Sequence, residues 1–162
     1  MSFNIGDGQS QITGDFSRLE KLIENLNADA YVDIGIFHEA KTSDGMPVAE
    51  YGAYNEFGSL TRKDRPPKRS FIRMPLEQKS DKVSDYVVKR TKGHLENGDV
   101  LAIFEDIGIA GESVIQEAFD TRGFGSWKEN ADSTIAQKGS DAPLIDEGLL
   151  RRSITHKTGG KE

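Results

Sequence analysis

From Asp15 onward the apolar residues Phe16, Leu19, Leu22, Ile23 and Leu26 recur at three- and four-residue spacing, with charged residues between them. That spacing puts them on one face of an amphipathic helix, and Thr13 or Asp15 stands where a side-chain oxygen can accept hydrogen bonds from its first-turn amides. Ahead of it, residues 1–14 carry Phe3 and Ile5 among polar neighbours, then Gly6 and Gly8, and read as an N-terminal arm or short strand. Between Ala30 and Phe37 the period changes to two. Val32, Ile34 and Ile36 alternate with Tyr31, Asp33 and Gly35, which predicts a strand with one buried, β-branched side. After Pro47, the small and aromatic residues Val48, Ala49, Tyr51, Gly52, Ala53, Tyr54 and Phe57 predict a short buried helix that starts at the proline and stops at Gly58.

Residues 59–68 include Pro66 and Pro67, which forbid regular helix and predict an extended, protruding loop. A weakly amphipathic helix resumes through Phe71, Ile72, Leu76, Val83 and Val87, starting near Pro75. The most regular stripe is Val100, Ile103, Phe104, Ile107, Ala110, Gly111, Val114, Ile115, Ala118 and Phe119, with Glu105, Asp106 and Glu112 off it on the solvated side. Residues Gly93 to Asp99 read as the break between these two helices, which then form an antiparallel hairpin. Gly123-Phe124-Gly125 reads as a flexible joint, followed by a polar helical turn and the segment Pro143 to Ile154. The expected fold is α/β (α+β): a small, mostly antiparallel sheet flanked by helices, with a long helical hairpin. It occupies residues 15–154 as a single domain, with 155–162 as a flexible C-terminal tail.

Composition narrows the function classes. A chain of 162 residues suits one domain. At 35% hydrophobic against 30% charged residues, much of it is expected to be solvated or to await a partner. The absence of cysteine excludes disulfides, thiolate zinc sites and cysteine nucleophiles. A formal net charge of −6 argues against broad binding to a phosphate backbone, which needs a basic face. No apolar run approaches a membrane span and the first residues do not resemble a signal peptide, so synthesis in a cytoplasm and no membrane partner are expected.

Chemistry-bearing patterns are sparse. His38, His94 and His156 lie in different predicted elements, with no helical metal-ligand spacing among them, and are expected at the surface. No serine sits in a Gly-x-Ser-x-Gly elbow. The carboxylate pair Glu105-Asp106 reads as solvated helix edge rather than an acid–base pair. The expectation is therefore no enzyme, no catalytic residue, no cofactor and no metal. The one local reversal of sign is the run Arg62, Lys63, Arg65, Lys68, Arg69 and Arg73. With no aromatic residue before Phe71 to stack on bases, this run is expected to meet an acidic surface on a neighbouring subunit rather than DNA.

Several motifs then occur in a telling order: Val32-Asp33-Ile34-Gly35-Ile36-Phe37; Ala49 through Asn55-Glu56-Phe57-Gly58; Ser70-Phe71-Ile72-Arg73 after a Pro-Arg-rich turn; and Trp127, Thr134-Ile135-Ala136-Gln137-Lys138 and Pro143-Leu144-Ile145-Asp146-Glu147-Gly148-Leu149 through Ser153-Ile154. Together they resemble the tail-completion and neck proteins of tailed bacteriophages, the group that includes Mu-type virion morphogenesis proteins. In that group a "VGIF"-like strand leads to "A-x-x-x-x-x-N-E-F-G", then "S-F-I-R", then "W…T-I-x-x-K…P-L-I-D-T-G-x-L-x-x-S-I". The chain departs from it at Glu147, where threonine is frequent, in the turn expanded by Pro67-Lys68, and in stopping soon after Ile154. The resemblance implies a structural virion protein at the neck or top of the tail. It would form a ring of its own copies, sixfold by resemblance, that completes the tail and joins it to the head. Its implied partners are the tail tube or tail terminator protein, the head–tail connector or adaptor proteins, and packaged DNA in the lumen without sequence-specific contact. The alternatives are a tail terminator capping the tube and, more distantly, a virion-associated cell-wall hydrolase. Asn55, Glu56, Phe57, Arg62, Arg65, Arg69, Phe71, Arg73 and Trp127 are the expected assembly residues. Among them, Asn55 and Glu56 are expected to tie the helix end to the proline segment, Phe57 and Phe71 to anchor its base and exit, and Trp127 to anchor the C-terminal segment against its own domain or a neighbour, where a tryptophan often serves as a binding hot spot.

Overall fold

In the computed structural model, which describes residues 15, 17–27, 29–37, 41–58, 67–145 and 148–160, the chain runs α1 (Ser17–Asn27), β1 (Tyr31–Ile36), α2 (Val48–Phe57), α3 (Arg73–Gln78), α4 (Ser80–Glu96), α5 (Leu101–Asp120), α6 (Asp132–Lys138), α7 (Leu149–Arg152) and β2 (Ile154–Gly159). This is a small α+β fold. The expected arm at residues 1–14 lies outside the described residues, and so do the Gly6-Asp7-Gly8 cluster and His38. Asp15 does what its position suggests, accepting a hydrogen bond from the Ser17 amide at 3.0 Å.

The helix predicted to run on from Phe71 is two helices. Pro75, in the first turn of α3, lacks only an amide hydrogen that a helix start leaves unpaired. Lys79, at φ −116° and ψ 22°, then breaks the axis before α4 begins. Gly93 lies inside α4 rather than in the break, and the turn into α5 is Asn97 to Val100. Gly98 makes that turn at φ +66°. Cross-links fix α4 and α5 as an antiparallel pair: Lys82, early in α4, meets Glu117, late in α5, at 2.6 Å, and Arg90 meets Asp106 at 2.8 Å.

Behind the hairpin, β1 and β2 form a two-stranded antiparallel sheet, in register from Tyr31 opposite Gly159 to Ile36 opposite Ile154. The expected flexible tail is therefore corrected: through Gly159 it is strand, held by that ladder and packed on α5. Val32, Ile34 and Ile36 share a face with Thr158, His156 and Ile154. Small residues on α5 let this face approach closely, because a Cβ on Gly111 would overlap the tip of Ile34 and one on Gly108 would overlap the His156 ring. The core joins Val48 of α2, Phe71, Ile115, Ala118 and Phe119 of α5, Trp127, Leu144, Leu150 of α7 and Ile154. Gly52 of α2 belongs to the same closeness, since a Cβ there would stand 3.1 Å from Ile36 and 3.2 Å from Phe71.

The expected joint at Gly123-Phe124-Gly125 is a tight, packed turn. Arg122, Gly123, Phe124 and Gly125 all have positive φ, between 53° and 79°. Gly123 is buried under the Trp127 ring, where any side chain would collide, and its amide bonds the Ala118 carbonyl at 2.6 Å. Glycine is needed there on both counts.

Candidate interaction site

The motif residues converge. Asn55 ends α2 with its side-chain amide donating to the Tyr51 carbonyl at 2.9 Å, and its own carbonyl accepts the Arg69 amide at 2.8 Å. Glu56 is buried beside it. Its carboxylate accepts from Ser70 Oγ at 2.6 Å and from the amides of Phe71, Ile72 and Arg73 at 2.6, 2.9 and 3.2 Å. Those amides open α3, where the first-turn N–H groups have no partner within the helix and carry the positive end of its dipole. A carboxylate on one helix thus caps the start of the next, and Ser70 Oγ completes the cap by accepting the Met74 amide at 3.0 Å. These bonds tie the end of α2 to residues 69–73, while residues 59–66 of the proline segment that Asn55 and Glu56 were expected to hold lie outside the described residues.

A second layer lies under this cap. Trp127 donates its indole N–H to the Ser70 carbonyl at 3.0 Å and meets Phe119 edge-on, with centroids 5.4 Å apart; Phe119 in turn meets Phe71 at 5.8 Å. Arg69 turns inward, its guanidinium donating to the carbonyls of Lys128 and Glu129 at 2.7 and 2.9 Å and to Asn130 Oδ1 at 3.2 Å. Burial holds its pKa below the usual arginine value, partly offset by Tyr51.

Several expectations are corrected by this geometry. Arg69, expected to meet a neighbouring subunit, is buried and bonds carbonyls of its own chain, and Asn55, Glu56, Phe71 and Trp127, also named as assembly residues, are buried with it. Phe57, expected to anchor the base of the basic segment, stands 66% exposed at the end of α2, and the segment itself lies largely outside the described residues. Arg73 is also exposed, 3.8 Å from Glu77. Arg62 and Arg65 lie outside the described residues. Of the expected assembly residues within the described part, Phe57 and Arg73 face outward, and they are joined there by Leu19 and Ile23 on α1, Val88 and Leu95 on α4, and Leu101 and Ile109 on α5.

Two histidine–carboxylate clusters were not legible in local spacing, because their partners lie on distant elements. Asp106, expected on the solvated side of α5, is buried at 3% exposure and accepts from Arg90 Nε at 2.8 Å and from His94 Nε2 at 2.6 Å. The ion pair raises the Arg90 pKa still further. On another face of α5, His156 of β2 has Nδ1 2.7 Å from Glu112 and Nε2 3.0 Å from Glu105, whose second oxygen accepts from Thr158 at 2.9 Å. Neither histidine is the free surface residue that its sequence context suggested. Among the described residues, no group of three or more His, Asp or Glu side chains is arranged to hold a metal ion, and no helix is long and apolar enough to cross a membrane. No protein-family model, no curated protein and no solved structure matches this chain.

Proposed function

We propose that this chain is a structural virion protein of a tailed bacteriophage, one copy in a ring at the neck that completes the tail and joins it to the head connector. The observation that carries this reading is the convergence of the motif pieces that resemble the neck family. Asn-Glu-Phe-Gly at the end of α2, Ser-Phe-Ile-Arg before α3 and the lone tryptophan are far apart in sequence. They meet in one buried brace through the Glu56 cap and the Trp127–Ser70 bond. Motifs that serve one mechanical unit have a reason to occur together, and a braced unit suits a subunit that works by presenting surfaces. The exposed apolar side chains of α1, α4 and α5 are further material for contacts between subunits.

Electron microscopy of particles assembled without the protein tests this reading. Filled heads separate from finished tails are expected. Overlong tails would assign it instead to terminating the tube, and a normal yield of complete infectious particles would overturn the proposal.

A further inference from the structure

The strand β2 is fastened to the rest of the molecule in three ways. Its backbone pairs with β1, Ile154 enters the core, and His156 and Thr158 reach across to α5. The third fastening has an unusual requirement. The His156 ring packs against Gly108 with its side chain 12% exposed, and each of its ring nitrogens faces a different carboxylate, Glu112 at 2.7 Å and Glu105 at 3.0 Å. A neutral imidazole has one N–H and one lone pair. With two ionised carboxylates opposite two ring nitrogens, the neutral ring sets its lone pair against one anion at hydrogen-bond distance. The imidazolium, with two N–H groups, satisfies both.

We infer that His156 is a proton-operated latch on β2, bridging Glu105 and Glu112 of α5 when both its nitrogens carry hydrogen and able to hold only one of them after a proton leaves. The stretch His156 to Gly159 is then held to α5 by one side-chain bond fewer, with Thr158 still donating to Glu105, and its partners Tyr31 to Ile34 on β1 lose part of the support of that stretch.

The surrounding charges agree. Burial works against the charged ring, but hydrogen bonds and attraction from Glu112 and Glu105 outweigh it and raise the His156 pKa above the ordinary imidazole value. Hydrogen bonds from His156 and Thr158 lower that of Glu105. Other charges near β2 are engaged elsewhere: Asp106 with Arg90 and His94, and Arg151 of α7 with Asp120. Asp33 and Lys157 are paired in register one position along the ladder, which puts them on the opposite face of the sheet. Because the folded His156 value is raised, the latch contributes fully below the unfolded histidine value and is lost as pH rises through the folded one. Because the folded Glu105 value is lowered, its contribution is present above the unfolded carboxylate value and is lost as pH falls through the folded one. The latch is closed between these limits, opening on the alkaline side as His156 loses its proton and on the acid side as Glu105 gains one. This inference stands apart from the proposed neck function.

NMR titration of the His156 ring in the full chain, together with amide hydrogen exchange corrected for its intrinsic pH dependence, tests the latch. The ring is expected to titrate above free histidine. Protection of amides in Tyr31 to Ile34 and His156 to Gly159 is expected to fall over the same interval, about tenfold for each unit by which the midpoint exceeds that of free histidine. In His156→Gln this step should vanish, whereas His94→Gln should retain it. Glu112→Gln keeps the imidazole and should lower the midpoint, which decides the matter if His156→Gln fails to fold. A wild-type midpoint at or below that of free histidine, protection that stays flat through the titration, a step that persists in His156→Gln, or an unchanged midpoint in Glu112→Gln would each overturn the inference.

Discussion

Burying a carboxylate is costly unless donors surround it, and Glu56 meets four of them, three being backbone amides with no other partner in their helix. Glu56→Gln keeps the shape but turns an NH2 group toward those donors, so a loss of about 2–3 kcal/mol is expected, read as a lower urea midpoint at unchanged slope. Trp127 fills the space between Gly123 and Phe119 while bonding the Ser70 carbonyl. Trp127→Ala should therefore cost about 3–5 kcal/mol of folding stability, measured by thermal or urea unfolding. An unchanged unfolding midpoint would contradict its place in the core. The sequence marked Glu56, Phe71 and Trp127 as special because charge and aromatic bulk stood at motif positions. It misdirected Arg69, because a cation in a basic run looks outward until the carbonyls of Lys128 and Glu129 are known to lie beside it. His94 and His156 were hidden for the same reason, since pairing across elements leaves no trace in local spacing.

The helix α5 and the strand β1 were legible because each packs one side inward, which imposes a period on the sequence, whereas α1 carries the same helical period although Leu19 and Ile23 are exposed. The strand β2 was not legible. Its inward positions are Ile154, His156 and Thr158, so two of the three look polar, and the alternation that betrays β1 is absent. The boundary of α4 was misplaced by Gly93, which reads as a breaker but stands in the helix with open space where a Cβ would be. Nothing at that position uses glycine's freedom. Gly93→Ala is expected to stabilise the protein by about 0.5–1 kcal/mol, seen as a higher unfolding temperature, through the entropy that glycine loses in a helix.

Taken whole, the molecule has a braced interior and an outer surface on which apolar side chains stand at intervals, Val88 among them at 71% exposure. Val88→Glu places a carboxylate four residues ahead of Lys92 on the same helix, so isolated stability should stay within about 0.5 kcal/mol, and on the proposed virion role incorporation into particles should fall. Sedimentation and unfolding of the purified variant, set beside its particle yield, check both halves of that statement, and a normal yield would remove α4 from the assembly surface. The pairing of β1 with β2 has a kinetic consequence as well. Helices α4 and α5 are joined by a short turn and can find each other early, whereas Tyr31 meets Gly159 only by closing a loop that contains nearly everything between them. In pulse-labelling during refolding, the hairpin amides should become protected first and the sheet amides last. Until that final closure, the α5 groove floored by Gly108 and Gly111 lies open, and the brief nascent state in which it can be occupied by the wrong strand is the point at which this chain is most exposed to misassembly.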